Sequence, residues 1–482
     1  MLMSFKDLRT FLAKLEEEGQ LLRIQEEVLP EPDISAAMSA NNKGFGETAP
    51  ALLFENIKGY TEETRLAANV HGSWPNIALA FGLPKNTPLK QLASEFNQRY
   101  QNFSKGCIEE RESAPWQENC LPGDAINLFA LMPHFRLNSG DGGLYINKAS
   151  IVSRHPDHMD DFDQQNVGMY RLQVKGPRHL SIQMVPDHDI AVHFKAAEES
   201  NRPLDIVISI GNEPLLPLVA SMPLLYGQDE YNMCSALSGE PYPVVTLDSQ
   251  LQAPWGAEYV LEAKILPRVR EPDGPYGEFT GHLSGIRNMC SVEVSKVYHR
   301  NKPLYEYCAI GMPWTEIDYM FLNTSPALYV QLKEKFPEVV AVNALYTHGL
   351  VVIVSTEMRV GGFAKTIGMS VLQTPHGTGY AKVVIVVDAD VDPYNLPQVM
   401  WALSTKFNPK FDCVIIPGCS ILALDPGSDP VGISHKMILD AATPVPPDDH
   451  GDYSMQIKDP PEAHDWLPKL QELMQSISSS AV

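Results

Sequence analysis

The sequence predicts an α/β (α+β) protein of about two to three domains, and two observations carry that prediction. Between about residues 144 and 310, several segments alternate apolar and polar residues with period two, which is typical of antiparallel strands with one solvated face. After about Gly311 the chain changes to continuous apolar runs between helical patterns, which is typical of buried strands in an α/β domain. The 482 residues are enough for this organisation and for a large core.

The N-terminal part, up to about residue 120, is predicted to combine helices and strands. Ser4 followed by Asp7 resembles a helix start, and Gly19 ends the helical pattern. The apolar stripe of this helix consists of Phe5, Leu8, Leu12 and Leu15. LLRI and ALLFENI follow as strands, and residues 85–104 form another predicted helix.

The strand-rich middle is followed by a second α/β domain, joined near Trp314. Its buried strands are predicted in LVVIVST and KVVIVVDADVD, and its helices over residues 363–372 and 396–407. A last amphipathic helix carries Leu467, Leu470, Met474 and Ile477. Such a helix packs either on a neighbouring subunit or on its own domain, and the sequence leaves both open.

Composition and charge exclude several classes of function. The net charge of −22 is spread along the chain, so neither nucleic acid nor an anionic membrane is a predicted partner. The seven cysteines are odd in number and form no CxxC pair, which argues against a disulfide framework and a cysteine zinc site. No segment has the ~20 apolar residues of a membrane span, and no signal-peptide pattern opens the sequence. A cytoplasmic location is therefore predicted.

The stretch DGPYGEFTGH, residues 273–282, is the first candidate site. Asp273 and Glu278 lie five positions apart, which in a straight strand would place them on opposite faces. The Gly-Pro-Tyr-Gly between them instead favours a tight turn, which can bring both carboxylates to one side. Paired carboxylates of this kind suit general acid–base catalysis. The alternative is a solvent-facing loop whose acids cap a turn.

Three further stretches carry groups that suit a ligand site. NVGMYR, residues 166–171, resembles a strand with a glycine where a ligand can approach, and Arg171 can bind a carboxylate or phosphate with two donors. PDHD places His188 just after the predicted strand HLSIQMV, and SMPLLYGQDEY contains Ser221, Met222 and Glu230. Taken singly, each has a structural alternative, such as a surface ion pair for the arginine.

Taken together, these stretches predict a metal site. The amide oxygen of Asn166, the imidazole of His188 and the carboxylate of Glu230 are compatible ligands for a hard or borderline divalent ion. Three protein ligands leave positions open for phosphate oxygens or water, as in many Mg²⁺ and Mn²⁺ sites. The sequence has no HExxH motif, which argues against a zinc site of that kind.

The order and length of the motifs resemble the UbiD-like decarboxylases, which use prenylated flavin mononucleotide (prenylated FMN). The resemblance runs almost from end to end, through FKDLRTFLAKLEEEGQLLRI, PALLFENIKGY, QNVGMYR, DGPYGEFTGH, GMPWTEIDY, NALYTHGL, DVDPYNLPQVMWAL, LDPGS and HKMILDA. Within the family, the sequence is most similar to the large catalytic (C-type) component of the hydroxyarylic acid decarboxylases, which act on 4-hydroxybenzoate, vanillate and related acids.

The resemblance implies a division of the chain. Residues 1–311 would form the prenylated-FMN-binding catalytic domain with a split β-barrel, including an N-terminal α/β part over about residues 1–120. A linker helix and an α/β oligomerisation domain would follow over residues 312–450, and residues 451–482 would form a C-terminal tail helix. This division agrees with the change in pattern near Gly311.

The resemblance also implies roles for individual residues. Arg171, Asp273 and Glu278 match the catalytic set, and a divalent ion, Mn²⁺ or Mg²⁺, would be bound by Asn166, His188 and Glu230, with K⁺ as a further candidate ion. The implied cofactor contacts are Asn166, Val167, Gly168, Met169, Tyr170, Arg171, Asp187, His188, Ser221, Met222, Pro223 and Glu230.

Position 273 departs from the family pattern, in which Glu is usual. One interpretation is that the backbone near Gly274 lies closer to the flavin, so that the shorter Asp273 reaches the same place; this is the one the sequence favours. The other is that Asp273 acts through Arg171 or a water molecule.

The implied reaction is the reversible, non-oxidative decarboxylation of a hydroxybenzoate. The flavin would supply the electron sink that the polypeptide lacks, Glu278 would deliver the proton that replaces CO₂, and Arg171 would hold the substrate carboxylate or tune the acids. Implied partners are a B-type flavin prenyltransferase that supplies the cofactor, a small D-type companion protein, and further copies of the chain in a dimer or hexamer. Alternative functions are decarboxylation of polyprenyl-4-hydroxybenzoate, a non-catalytic flavin-binding role, and a two-carboxylate glycosidase.

Overall fold

The computed structural model describes residues 4–186, 188–448, 457 and 460–480, with the side chains of residues 163 and 475–480 left aside. The helices are α1 Leu8–Glu17, α2 Ser35–Phe45, α3 Trp74–Ala80, α4 Leu89–Tyr100, α5 Leu128–Leu131, α6 Asp189–Glu199, α7 Leu215–Val219, α8 Glu230–Ser238, α9 Glu316–Met320, α10 Thr324–Lys335, α11 Phe363–Leu372, α12 Pro375–Gly379, α13 Leu396–Thr405 and α14 Ala463–Ser480. The strands are β1 Leu21–Ile24, β2 Ala51–Phe54, β3 Arg65–Ala68, β4 Ile108–Glu110, β5 Asn119–Pro122, β6 Leu144–Ile146, β7 Ala149–Arg154, β8 Gln165–Met169, β9 Leu172–Gly176, β10 His179–Ile182, β11 Leu204–Ile210, β12 Tyr242–Thr246, β13 Gln252–Pro254, β14 Tyr259–Asp273, β15 Arg287–His299, β16 Leu304–Tyr307, β17 Val339–Asn343, β18 Val351–Thr356, β19 Val383–Asp388, β20 Cys413–Ser420 and β21 Ile433–Ala441. The predicted mixed α/β class is confirmed.

The N-terminal part packs helices on a small sheet of order β1-β2-β3-β16. The sequence pattern predicted a helix that starts at Ser4. Helix α1 begins one turn later, because Asp7 itself is the N-cap. Its carboxylate accepts a hydrogen bond from the backbone N–H of Thr10 at 2.8 Å, while Thr10 Oγ1 bonds back to the backbone of Asp7. Strand β16, which follows the strand-rich middle of the chain, pairs in parallel with β3 and so connects that middle part to the N-terminal sheet through backbone hydrogen bonds.

The middle of the chain forms a nine-stranded antiparallel sheet that curves into a half-barrel. Its order is β6-β9-β10-β15-β14-β11-β7-β8, and β5 pairs with β15. The two longest strands, β14 and β15, pair along most of their length, and the register shifts between Ile265 and Arg270. Beyond this irregularity Asp273 lies opposite Arg287, so the end of the ladder carries charged side chains. The period-two pattern thus predicted the strands, and the predicted split barrel corresponds to this sheet.

One strand prediction was wrong in detail. NVGMYR does not form a continuous strand: β8 ends at Met169, and Tyr170 and Arg171 connect it to β9. Arg171 therefore does not follow the strict alternation of a strand. This break allows the Arg171 side chain to reach the turn after β14, more than a hundred residues away.

The C-terminal domain is a second α/β unit, reached through α9 and α10. Its five-stranded sheet has the order β17-β18-β19-β21-β20, in which β18, β19 and β21 are parallel. Strands β18 and β19 are buried over most of their length, as their apolar runs predict. Helix α11 covers residues 363–372 as predicted, and α13 ends two residues earlier than predicted. The tail helix α14 is present over part of the predicted range of 451–482.

All seven cysteines are free thiols. Within the described ranges, no helix has the length and apolar character needed to cross a membrane.

Candidate active site

The turn after β14 places two carboxylates beside each other. Asp273 is the last residue of β14, and Gly274 follows with φ of +98°, a conformation that residues with a Cβ rarely adopt. The turn closes on itself, because the Glu278 N–H donates to the His282 carbonyl at 2.9 Å and Gly277 bridges to Leu283. The prediction that Gly-Pro-Tyr-Gly brings both acids to one side is confirmed by their common partner.

That partner is Arg171. Its Nη2 lies 3.0 Å from Asp273 Oδ1, and its Nη1 donates to Glu278 Oε1. The guanidinium carbon also lies 4.9 Å from the ring centroid of Tyr276 and 5.7 Å from that of Tyr145, so two aromatic rings flank the cation. One fixed arginine thus holds two acids from a distant turn.

Asp273 is fully buried and both of its carboxylate oxygens are bonded. Oδ1 contacts Arg171, and Oδ2 accepts a hydrogen bond from Ser181 Oγ at 2.6 Å. This geometry agrees with the interpretation in which Asp273 acts through Arg171. Ser181 was not predicted; its place in the alternating strand HLSI was the available signal, but its partner lies 92 positions away.

Glu278 has a raised pKa. Burial raises the pKa of Glu278 to about 7, the nearby negative charges of Asp273 and Asp141 act in the same direction, and the positive charges of Arg171 and Arg287 oppose the rise. A carboxyl group with this pKa is substantially protonated at neutral pH. It can therefore donate a proton as a general acid.

Asp141 supports the turn and was also missed. Its Oδ1 accepts from the Gly277 N–H at 2.7 Å, and its Oδ2 accepts from the Asn138 N–H at 2.9 Å. Its neighbour Gly142 lies so close to the turn that a Cβ there would stand 2.3 Å from the Gly274 carbonyl oxygen. The glycine-rich sequence SGDGG around Asp141 was the only signal for this contact.

The predicted cofactor segment lies on β8 and the connection after it. Met169 N–H donates to the Ala220 carbonyl at 2.8 Å, and Val167 N–H donates to Glu230 Oε2 at 2.7 Å. A Cβ at Gly168 would stand 2.4 Å from the Tyr170 ring, so only glycine fits beneath that ring. Arg171 then continues directly into the acid pair.

The three predicted metal ligands surround Tyr170. The Tyr170 hydroxyl lies near the Asn166 side chain and the Glu230 carboxylate, and the Tyr170 ring lies 5.7 Å from the His188 ring. His188 is the N-cap of α6, Glu230 is the first residue of α8, and Asn166 lies on β8. Three elements therefore bring an imidazole, a carboxylate and an amide to one place.

Two of these groups have the electrostatic character expected of ligands. Glu230 is buried, and within the described ranges no Lys, Arg or His lies within ion-pair distance of it; burial, with the adjacent Asp229, raises its pKa well above the ordinary value. The Asn166 amide nitrogen is buried without a hydrogen-bond partner. His188 Nε2 lies 3.3 Å from the Tyr380 hydroxyl of the C-terminal domain.

The remaining predicted cofactor residues follow α7. Ser221 Oγ lies 3.1 Å from the Pro217 carbonyl and accepts from Asn323 Nδ2 at 2.8 Å, so its orientation is fixed. Met222 is buried and Pro223 is half-buried beside it. Asp187, the other predicted contact, lies outside the described residues.

A different cluster has the spacing of metal ligands but is filled by a lysine. In the part of the chain that the structure describes, His71, Glu306 and Glu316 are the group of three whose ligand atoms lie within 4.8 Å of one another. The Lys148 ammonium lies 2.7 Å from Glu306 and 2.5 Å from Glu316. This fully buried cation takes the place that a metal ion would need, so the cluster is a structural charge network.

Comparisons with known proteins show the family to which the chain belongs. Three family models match: the 3-octaprenyl-4-hydroxybenzoate carboxy-lyase N-terminal domain (UbiD_N) over residues 12–96, its Rift-related domain (UbiD) over 108–313 and its C-terminal domain (UbiD_C) over 319–441. The chain is 55% identical over 475 residues to "Phenolic acid decarboxylase" of Bacillus subtilis (strain 168), which covers 98% of this chain and 100% of the relative.

Two solved structures extend the comparison. The vanillic acid decarboxylase of Sedimentibacter hydroxybenzoicus (ShVdcCD, closed form) matches with a TM-score of 0.93 and 49% identity, over 98% of this chain and 99% of that one. An evolved dimeric form of the UbiD-class enzyme HmfF from Pelotomaculum thermopropionicum, in complex with prFMN, matches with a TM-score of 0.79 and 27% identity, over 96% and 98%. With all three domain models matched in order, the chain belongs to the UbiD family of carboxy-lyases.

Proposed function

We propose that the chain is the catalytic component of a decarboxylase that converts small phenolic acids, such as 4-hydroxybenzoate or vanillate, into the phenol and CO₂, reversibly and without net oxidation. The observation that carries the proposal is the buried Glu278, with a pKa of about 7, bonded to Arg171 beside Asp273. Relatives named phenolic acid decarboxylases support the substrate class. The division into residues 1–311, 312–450 and 451–482 belongs to the same proposal.

The residues around Tyr170 fit prenylated FMN and a divalent ion, Mn²⁺ or Mg²⁺. Asn166, His188 and Glu230 would bind the ion and, through it, the cofactor phosphate, because oxygen and imidazole donors suit these metals. A buried carboxylate without a cationic partner fits this role, since a bound cation would compensate its desolvation. K⁺ is a further candidate ion, which would lie beside the divalent ion.

The proposed mechanism uses the acid pair for proton transfer. When bound, the prenylated flavin supplies the electron sink that removal of CO₂ from an aromatic carbon requires. Protonated Glu278 donates its proton to the ring carbon that has lost the carboxylate, and Arg171 holds the Glu278 carboxyl in position. Asp273, which is itself bonded to Ser181, fixes Arg171. The rings of Tyr145 and Tyr276 keep water from the faces of the Arg171 guanidinium. In the reverse direction, Glu278 as carboxylate takes the proton from the phenol ring.

Replacement of Glu230 tests the metal site. Glu230→Ala is expected to lower both metal and flavin per chain at least about tenfold, because it removes the anionic ligand of the proposed ion. Metal analysis and the flavin absorbance of purified protein measure this, with the thermal unfolding midpoint as the check on folding. Glu213→Gln is the matched control, since Glu213 is a second buried glutamate whose oxygens accept from the Leu215 and Leu216 N–H groups. Unchanged flavin in Glu230→Ala would remove Glu230 from the site.

The proposed function is tested with a substrate panel on protein co-expressed with a flavin prenyltransferase. We expect 4-hydroxybenzoate or vanillate to give one phenol and one CO₂ per turnover, and protein from a host lacking that enzyme to give none. Turnover by cofactor-free protein would contradict the cofactor assignment. Preference for a polyprenylated acid would support the quinone-synthesis alternative, and no turnover by cofactor-loaded protein would support a non-catalytic flavin-binding role.

Association with other proteins is part of the proposal. The tail helix α14 exposes Trp466, Leu467 and Leu470, each at least half exposed, as an apolar face that a further copy of the chain would cover. The solved relative is named as a two-component complex, ShVdcCD, which supports a small companion protein of the D type.

A further inference from the structure

A cleft of about 350 Å³ opens beside Glu278, between the end of the nine-stranded sheet and the C-terminal domain. One side consists of residues 278–287, which follow the acid-bearing turn, and the other of residues 423–431 from the C-terminal domain. The volume lies at the small end of the ~300–1,000 Å³ that is usual for small-molecule sites. A single substituted benzene ring is the size of ligand that fits it.

Arg287 supplies a positive charge to this cleft, and its contact with the C-terminal domain is to an uncharged carbonyl group. It is the first residue of β15, and its Nη2 donates to the Ala423 carbonyl at 2.7 Å across the domain boundary. Within the described ranges, no carboxylate lies within ion-pair distance of Arg287. The carbonyl uses one of the five N–H donors of the guanidinium, so the others are available to a ligand.

Two other charged side chains near the cleft, Arg171 and Asp425, are already paired. Arg171 contacts both Asp273 and Glu278, so its charge is balanced before any substrate arrives. Asp425, the acid on the opposite wall of the cleft, lies 2.8 Å from the Lys382 ammonium. Arg287 therefore has capacity for an incoming anion. It is a second candidate for the role of holding the substrate carboxylate, which the sequence assigned to Arg171.

Apolar side chains line the cleft next to this cation. Leu283, Ile286 and Val431 line it and are 52%, 66% and 67% exposed. Covering such side chains with an aromatic ring removes apolar surface from water, which is favourable. A cation beside an aliphatic wall suits an apolar acid, and an aromatic ring that carries a carboxylate is the member of this class that the proposed function supplies.

We propose that Arg287 is a substrate-binding residue that captures the carboxylate of the aromatic acid at the mouth of the cleft, with the ring against Leu283, Ile286 and Val431. The proposal rests on the proposed function and names the residue that selects acid over product. The phenol product has no carboxylate, so Arg287 binds the substrate and does not retain the product. Arginine suits this role because its planar donors match a carboxylate in a bidentate contact.

The test compares Arg287→Gln and Arg287→Lys with the parent, all loaded with cofactor. For Arg287→Gln, we expect KM for vanillate to rise about tenfold or more, because a tenfold change corresponds to the loss of about one charged hydrogen bond. The change in kcat should be much smaller. The inhibition constant of the neutral product should stay at the parental value, and the salt dependence of kcat/KM should become weaker. Arg287→Lys should restore part of the affinity, because it keeps the charge.

Arg359→Gln is the matched control, because it removes a surface charge from the C-terminal domain, where Arg359 pairs with Glu338. An unchanged KM in Arg287→Gln would overturn the proposal, as would an equal rise in KM and in the product inhibition constant, which would indicate distortion through the Ala423 contact. If the parent decarboxylates no phenolic acid, the proposed function fails separately. Calorimetric binding of vanillate to the parent and to Arg287→Gln then decides the inference, and equal affinities would refute it.

Discussion

Glu278→Gln is expected to abolish formation of the phenol, with a loss of at least about a hundredfold, because a positioned general acid contributes ~10²–10⁴ to rate. Glutamine has nearly the same shape and can still accept from Arg171, but it has no carboxylic proton to donate. The exchange of deuterium from solvent into the ring of the product phenol should be lost as well. Chromatography of the phenol and mass spectrometry of the exchanged product measure both effects.

Two controls separate this loss from damage to the protein. Flavin per chain should equal that of the parent, and Glu213→Gln, which changes a buried glutamate outside the site, should keep its activity. If Glu278→Gln exchanges the ring proton at the parental rate, the proton donor is another residue.

The stability of the same variant follows from the raised pKa. Because Glu278 has a pKa of about 7 in the folded chain and an ordinary value near ~4.3 when unfolded, the folded state binds the extra proton between these values. In this window Glu278 ionises in the unfolded chain but stays protonated in the folded chain. The free energy of unfolding of the parent therefore falls as the pH rises from about 4 to 7. Relative to the parent, Glu278→Gln should become more stable over this window, which unfolding in denaturant at several pH values can measure.

Asp273→Asn is expected to lower the decarboxylation rate at least tenfold at pH 8 and to move the alkaline limb of the kcat profile to lower pH. The negative charge of Asp273 raises the pKa of Glu278, and its loss leaves Glu278 as the remaining carboxylate bonded to Arg171. Glu278 then ionises at lower pH and ceases to be a proton donor. The full pH dependence of kcat measures the shift.

Asp273→Glu is the matched variant, because it keeps the charge and changes its position. Asp273 is fully buried with both oxygens bonded, and an added carbon–carbon bond of about 1.5 Å would displace Arg171. We expect the alkaline limb to stay in place while the rate falls, since a misplacement of ~1 Å can cost about a hundredfold. A Glu variant at least as active as the parent would contradict this account of position 273.

The features that sequence predicted well are those that depend on local pattern. The period-two strands, the buried parallel strands of the C-terminal domain and helix α11 follow from side-chain periodicity and their neighbours in sequence. The Asp273–Glu278 turn also follows from its own residues, because Gly274 adopts a conformation that glycine favours. The start of α1 was misjudged, because Ser4 and Asp7 are both acceptable caps and the reciprocal hydrogen bonds between Asp7 and Thr10 favour Asp7.

The features that sequence missed depend on contacts between distant segments. Ser181, Asp141 and Arg287 reach the acid turn through strand pairing and domain packing, and the register shift between Ile265 and Arg270 determines which residue of β15 lies opposite Asp273. No local pattern encodes that register. The buried Lys148 cluster was missed for the same reason, since its members come from four separate segments.

The central claim is that burial keeps Glu278 protonated near neutral pH while Arg171 holds it, and an infrared titration tests this most directly. Cofactor-loaded parent and Glu278→Gln, both labelled with ¹³C-glutamate, are compared across pH, and the difference isolates the carboxyl of residue 278. The account predicts a protonated carboxyl signal that is lost with a midpoint at about pH 7 in the parent and is absent in the variant. A midpoint near ~4.3, the ordinary value for glutamate, would contradict it.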